Sequence, residues 1–116
     1  PVAARARARA ERNPELWALF PKAMLGGDTT ALGDWSPAQT VDALRKLCHD
    51  LLVSSTGAAP RYFAAADLPT APSLGALGRW SKALAQTSRT VDHPFNAGLM
   101  LEALVAEARN TLNSRH

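Results

Sequence analysis

Apolar residues recur every three or four positions along four stretches of the chain, and this spacing places them on one face of an α-helix. The clearest stretch predicts a helix from Pro37 to about Ser55, since Ser36 followed by proline is a helix start and Gly57 suits a left-handed helix end. The face predicted to be buried contains Val41, Leu44, Leu47, Cys48, Leu51 and Leu52. Asp42, Lys46 and Asp50 follow one another at four-residue steps on the other face, where solvated ion pairs are expected.

An earlier helix is predicted to open at Asn13-Pro14-Glu15, where asparagine can cap a helix and proline suits its first position. Its apolar stripe contains Leu16, Trp17, Leu19 and Phe20. Pro21 should kink or split this helix because proline has no backbone N–H to donate. The run Gly26-Gly27-Asp28 should end it, and residues 29–35 are expected to form a connector with room for one short helical turn.

A third helix is predicted from Leu74 to about Thr90, with Ser73 as its cap. One side of this helix carries Leu77, Trp80, Leu84 and Thr87. Gly75 and Gly78 lower its intrinsic helix propensity, but they allow another backbone to approach closely.

Two connections and a last helix complete the pattern. Residues 57–72 form the longest irregular stretch, and Tyr62 with Phe63 should anchor it against the neighbouring helices. The break Asp92-His93-Pro94 precedes a helix predicted from about Phe95 to Asn113. Its stripe contains Ala97, Leu101, Leu104, Val105, Ala108 and Leu112, with Phe95 and Leu99 beside it.

Composition supports the same fold class. The chain contains 23 Ala and 16 Leu but only 5 Val and no Ile, whereas strands favour β-branched residues. We therefore predict an all-α fold, a compact bundle of four main helices with one or two short ones. The single cysteine, Cys48, allows no intrachain disulfide, and no apolar run approaches the length of about 18 residues typical of a membrane span, so a cytoplasmic location is expected.

Positive charge is confined to one end of the chain. Residues 1–12 hold four Arg and one Glu, whereas residues 13–116 hold nine basic and nine acidic side chains. The lead segment 1–12 is therefore expected to be the end of a preceding helix or a linker, and residues 13–116 a neutral helical domain. A neutral body is poorly suited to gripping phosphates. The alternative is a small helical DNA-binding module that uses the Arg-rich lead segment as an arm.

Motifs for catalysis or ligand binding are missing from the sequence, including phosphate loops, nucleophile elbows and cysteine or histidine spacings for a metal. Cys48 and His49 pair a nucleophile with a base, but neighbours on a helix point about 100° apart. Cys48 is expected to be buried and His49 to face outward. His93 is expected to fix a turn or cap the last helix. An enzyme that uses His49 or His93 is a further alternative, and it predicts a pocket that joins one of them to acids.

Two segments together resemble one protein family. The run from Val41 to Leu52, followed by Gly57-Ala58-Ala59-Pro60-Arg61-Tyr62-Phe63, is similar to the delta-prime subunits of the bacterial DNA polymerase III clamp loader. The run from His93 to Val105 resembles the last helix of the proteobacterial members. The resemblance covers roughly Asn13 to Leu112 and only the carboxy-terminal domain of that subunit.

The resemblance implies a helical collar domain, which holds delta-prime in the pentameric loader that uses ATP to place the sliding clamp on primed DNA. The partners would be the gamma/tau and delta subunits, with clamp and DNA reached only through the whole complex. It implies no catalysis, cofactor, metal or small-molecule substrate for this domain, although the intact protein would belong to a DNA-directed DNA polymerase complex. The AAA+ module and its zinc-binding cysteines would lie outside this chain, which begins at Pro1 as if cut from a longer protein.

A collar must present more apolar surface than one small bundle can bury. Trp80 stands between Arg79 and Lys82 and is expected to pack in the core. The alternative is that part of its indole reaches the surface, where aromatic and Arg side chains typically anchor interfaces. Asn96, in the first turn of the last helix, is expected to bond exposed backbone groups or a neighbouring helix. The candidate interface contains Arg79, Trp80, Leu84, Phe95, Asn96, Leu99 and Met100.

Overall fold

Four helices form the long elements of the computed structural model, which describes residues 14–33, 35–91 and 96–114. They are α1 (Pro14–Gly26), α2 (Pro37–Ser55), α3 (Leu74–Ser88) and α4 (Ala97–Leu112). Short 3-10 turns at Thr29–Leu32 and Ala65–Asp67 lie in the connections. The described residues contain no strand, and the predicted all-α bundle is confirmed.

Polar side chains cap the helices where the sequence places them. Ser36 accepts a hydrogen bond from the Gln39 backbone N–H at 3.2 Å, and the Gln39 side chain accepts one in return from Ser36 N–H at 2.7 Å. This reciprocal pair satisfies two donors that the helix start leaves open. Ser73 accepts from Ala76 N–H at 3.1 Å, so both predicted serine caps are confirmed.

The helix ends agree with the predictions only in part. Gly57 has φ of +89°, the left-handed conformation expected after α2. Helix α1 continues through Pro21, so of the two predicted outcomes, a kink or a split, the split is wrong. The turns on either side of Pro21 are held by buried Phe20 and Met24, and their packing outweighs the lost backbone hydrogen bond. The predicted Asn13 cap lies outside the described residues.

Helix α2 lies at the centre of the core. It packs most extensively on α3, while α4 packs on α1 and, somewhat less extensively, on α2 and α3. All the predicted stripe positions of α2 are buried except Leu52, which is half-buried. The core residues contributed by the helices are Phe20, Met24, Val41, Ala43, Leu44, Leu47, Cys48, Leu51, Leu77, Trp80, Leu84, Leu104, Val105, Ala108 and Leu112.

Two stripe assignments were wrong. Leu19 is 56% exposed, because the buried line of α1 passes through Phe20 and Met24, four residues apart. Ala97 is exposed, because the buried positions of α4 begin only at Leu104. Trp80 is 2% exposed, so its stripe position is confirmed and the alternative that part of its indole reaches the surface is wrong.

An aromatic cluster fixes the long connection between α2 and α3. The Trp17 and Phe63 rings stack with centroids 4.4 Å apart, and Phe20 lies 6.1 Å from each. The Trp17 indole N–H donates to the Tyr62 carbonyl at 2.7 Å. The prediction that Tyr62 and Phe63 anchor this connection is confirmed.

Asp50 corrects the predicted ion-pair pattern of α2. Lys46 pairs with Asp42 at 3.1 Å, whereas Asp50 is fully buried. Its carboxylate accepts three backbone N–H groups at 2.7 to 2.9 Å, from Arg61, Tyr62 and Phe63. Asp50 therefore holds the turn that carries the aromatic anchor, and it is not a solvated partner of Lys46.

Candidate interaction surface

The predicted interface residues fall into three groups. Arg79, Asn96 and Leu99 are exposed, and Met100 is half-buried against the core. Trp80 and Leu84 are buried within the bundle, so they are not part of an exposed surface. Phe95 and the Asp92-His93-Pro94 break lie outside the described residues, as does the basic segment 1–12.

Asn96 and Leu99 are placed by the start of α4. Asn96 is the residue before the helix, and its side-chain oxygen accepts from Leu99 N–H at 3.0 Å. The predicted bond to an exposed backbone group is confirmed, although the helix begins at Ala97 and not at Phe95. The capped first turn presents Leu99 to solvent with 63% of its side chain exposed.

Leu99, Met100 and Ala103 form an apolar surface at the amino-terminal end of α4, called here the Leu99 patch. Leu99 and Ala103 are exposed and Met100 is half-buried. A hollow of about 210 Å³ adjoins the patch and is lined by Thr87, Met100, Ala103, Leu104 and Glu107. An apolar side chain from another molecule could enter this hollow from the patch.

A second depression separates the amino-terminal half of α3 from the carboxy-terminal half of α4. We call it the α3–α4 groove, and its volume is about 340 Å³. It lies along the boundary between α3 and α4, and α3 packs more extensively on α2 than on α4. Its lining consists of Ala76, Arg79, Trp80, Ala83, Glu107, Asn110, Thr111 and Ser114.

One buried donor in the lining of the groove has no acceptor. The Trp80 side chain is 2% exposed, and its Nε1 is buried without a hydrogen-bond partner among the described residues. A buried N–H without an acceptor costs about 1–3 kcal/mol, and tryptophan N–H groups usually find a partner when buried. Trp80 Nε1 and Ser54 Oγ are the two buried side-chain polar atoms without a partner in the described part of the chain, and of these Trp80 lines the groove.

Glu107 lines both the hollow and the groove. Partial burial raises the pKa of its carboxyl above the ordinary value, since removal from water penalises the charged form. Charge at this position is therefore weakly disfavoured. Arg79, on the opposite wall of the groove, is exposed.

The predicted candidates for nucleophilic chemistry do not form a pair. Burial raises the pKa of the Cys48 thiol to about 11, and its Sγ lies 3.6 Å from the Leu77 carbonyl oxygen. His49 is exposed as expected, and its Nδ1 lies 3.2 Å from the Asp50 carboxylate. The neutral thiol faces the core while the imidazole faces solvent, so His49 is not placed to activate Cys48.

The part of the chain that the structure describes holds no group of three or more His, Cys, Asp or Glu residues that could bind a metal. None of the helices in that part is long and apolar enough to cross a membrane.

In comparisons with known proteins, no family model, curated protein or solved structure matches this chain.

Sequence reasoning identified part of this surface and missed the rest. Leu99, Met100 and Arg79 were found from helix periodicity and from their proximity to aromatic residues. Glu107 and Asn110 were missed, because a groove between two antiparallel helices depends on how far apart they lie. Glycines at 75 and 78, noted in the sequence as places for close approach, were the one available signal that α3 has an unusual face.

Proposed function

We propose that this chain is a non-catalytic helical assembly domain, and that it serves as the collar of a clamp-loader delta-prime subunit. It would hold its subunit in the loader that places the sliding clamp on primed DNA. This proposal has two kinds of support. The segments quoted above resemble that family, and the described surface offers apolar side chains suited to contact with other subunits.

The observation that carries the proposal is the Leu99 patch. A leucine with 63% of its side chain exposed lies beside half-buried Met100, on a helix whose opposite face is in the core. Burial of a leucine side chain contributes about 1.5–3 kcal/mol. An aliphatic anchor beside a hollow of about 210 Å³ is the kind of feature around which protein interfaces are built.

The reactive side chains also favour assembly over catalysis. The Cys48 thiol is buried and its raised pKa keeps it protonated at neutral pH. The most deeply buried carboxylate, Asp50, uses both oxygens to accept bonds from the chain itself. Each group thus has a structural role that explains its position.

The test uses two exposed leucines that differ in location. Leu99→Ser removes the centre of the patch, whereas Leu19→Ser changes a residue on α1 that is 56% exposed. For both variants the free energy of unfolding measured in urea should stay within about 0.5 kcal/mol of the wild-type value, as for ordinary surface substitutions. Each variant of the 116-residue chain is then mixed with purified gamma/tau and delta subunits, and complex formation is followed by analytical ultracentrifugation.

We expect Leu99→Ser to weaken the complex about tenfold, the loss for about 1.4 kcal/mol of interface energy, and Leu19→Ser to leave it unchanged. Equal binding by the two variants would remove the Leu99 patch from the interface. Failure of the wild-type chain to join any loader subunit would overturn the proposed collar. Salt-dependent DNA binding that disappears on deletion of residues 1–12 would then favour the DNA-binding alternative.

A further inference from the structure

Two glycines on the exposed face of α3 are not required by the fold of this chain. Neither Gly75 nor Gly78 has a positive φ, and both are exposed within the helix. A Cβ atom added at Gly78 would meet nothing within 4 Å, and one at Gly75 would meet only ordinary contacts, the nearest being the Arg79 guanidinium at 3.4 Å. Glycine in a helix interior is destabilising relative to alanine, so these positions lower the stability of the isolated chain.

The same face of α3 carries one sign of charge. The helix from Leu74 to Ser88 contains no acidic residue. Arg79 and Lys82 are exposed on it, and Arg89 is exposed directly after its end. Helix periodicity brings these three basic side chains to the face that also contains the glycines.

The α3–α4 groove adjoins this face and supplies a separate observation. Trp80 lines the groove, is 2% exposed, and has a buried Nε1 without an acceptor among the described residues. Ala76 and Ala83 contribute small side chains to the same wall. Because Nε1 itself is shielded from solvent, an oxygen atom from outside the chain reaches it only after the groove lining moves.

We propose that the exposed face of α3 and the α3–α4 groove bind a helix of a partner protein that carries carboxylate side chains. The glycines let that helix approach the α3 backbone closely, and Arg79 and Lys82 pair with its acids. A side-chain oxygen of the partner accepts from Trp80 Nε1. Since Glu107 faces the groove from α4, the partner's acids lie on the α3 side. The inference rests on the proposed assembly function, but it uses residues outside the Leu99 patch.

A helical peptide tests this surface without any knowledge of the natural partner. The probe is a 20-residue alanine-based peptide with Glu at every fourth position, and its matched control carries Lys at those positions. Each is added at up to millimolar concentration to the ¹⁵N-labelled chain. The Trp80 indole N–H resonance is assigned from its disappearance in Trp80→Phe and then followed in the wild-type chain.

We expect the Glu peptide to move the Trp80 indole resonance downfield and to slow its exchange with solvent, as a new hydrogen bond would. The Lys peptide should leave it in place. No change with the Glu peptide, or equal changes with both peptides, overturns the inference.

Two pairs of variants separate docking from folding. Gly78→Ala should stabilise the free chain yet weaken Glu-peptide binding at least fivefold, whereas Gly26→Ala, at another exposed glycine with open space, should not affect binding. Arg79→Glu should abolish binding, and Lys22→Glu on α1 should retain it. Unchanged binding by Gly78→Ala and Arg79→Glu would overturn the surface even if the Trp80 resonance moved.

A further substitution removes the donor and keeps the ring shape. Replacement of Trp80 by 3-benzothienylalanine puts sulfur where the N–H stands, so the free chain should fold with undiminished stability while peptide binding falls at least fivefold. Full binding by this variant overturns the assigned role of the indole. The Leu99→Ser experiment with loader subunits has a separate outcome, so failure of the collar and failure of this surface are distinguished.

Discussion

Asp50→Asn is the substitution with the clearest expected effect on the fold. Asp50 Oδ2 accepts from Tyr62 and Phe63 N–H at 2.8 and 2.7 Å, and Oδ1 accepts from Arg61 N–H at 2.9 Å. Asparagine has the same shape but only one oxygen. Whichever way its amide is turned, at least one backbone N–H faces an NH₂ group.

The size of the effect follows from these contacts. In the better orientation the amide oxygen keeps the two bonds at the Oδ2 position, and the Arg61 N–H loses its acceptor. Leaving this part-buried donor unpaired costs at most about 1–3 kcal/mol, and the two remaining bonds weaken because they lose their charge. A total of about 2–4 kcal/mol is expected, a large part of the roughly 5–15 kcal/mol by which small domains are stable.

Burial of the Asp50 carboxylate does not make its replacement by asparagine stabilising. Burial alone would raise the pKa of Asp50, but the three backbone N–H donors and His49 together hold that pKa below its ordinary value. The folded chain therefore favours the charged form more than the unfolded chain does. Removal of the charge costs stability although the group is out of water.

Urea unfolding followed by circular dichroism measures the loss. With an m-value of about 1.5 kcal/mol/M, a reasonable figure for a small domain, the midpoint should fall by about 1.3–2.7 M. Asp42→Asn is the matched control, since it removes a carboxylate from a partly exposed pair with Lys46 and should cost only about 0.5 kcal/mol. If the two variants unfolded at the same urea concentration, the assigned role of Asp50 would be refuted.

The pH dependence supplies a second readout. Because the pKa of folded Asp50 is lowered, its contribution is complete above the unfolded value of about 3.9 and is lost as the pH falls through the folded value. The wild-type chain should lose stability below about pH 4, whereas Asp50→Asn should lose less over the same range. Parallel curves for the two proteins would contradict the assignment.

Two further predictions concern Cys48 and Glu107. Cys48 is 2% exposed with a pKa raised to about 11, so iodoacetamide should modify it only when urea unfolds the chain. Rapid modification of the native chain, detected by mass spectrometry, would contradict its burial. Partial burial raises the pKa of Glu107, so Glu107→Gln should stabilise the chain at pH 7 by at most about 0.5 kcal/mol in urea unfolding. This gain should vanish below about pH 4, where both side chains are neutral. A gain that persists in acid would have another cause.

The helices were predictable because their signals are local. Ser36 and Ser73 cap helices with groups only three residues away, and Gly57 ends α2 through its own backbone conformation. Long-range contacts leave weaker traces. The periodicity of α2 gives no sign that Asp50 accepts from a turn 11 to 13 residues later, and an acid four residues after a lysine is normally exposed.

The candidate interaction surface was likewise predictable only where its signals are local. Periodicity placed Trp80 on the buried side of α3, but the polar neighbours Arg79 and Lys82 left a partly exposed indole as an alternative. A tryptophan at the margin of a helix face is exposed or buried according to the distance to the next helix, which no local pattern encodes. The unpaired Trp80 Nε1 could therefore be recognised only in three dimensions.

Helix α3 is held mainly by the central α2, and a groove remains along its boundary with α4. Its core side chains Leu77, Trp80 and Leu84 are at most 2% exposed. Glycine at position 78 is not in itself a sign of a partner, because natural proteins are seldom at their stability optimum and many single substitutions stabilise them. Gly78→Ala therefore separates a docking surface from an unoptimised one. A docking surface requires the substitution to stabilise the free chain and to weaken binding of the Glu peptide, whereas an unoptimised surface shows the stabilisation alone.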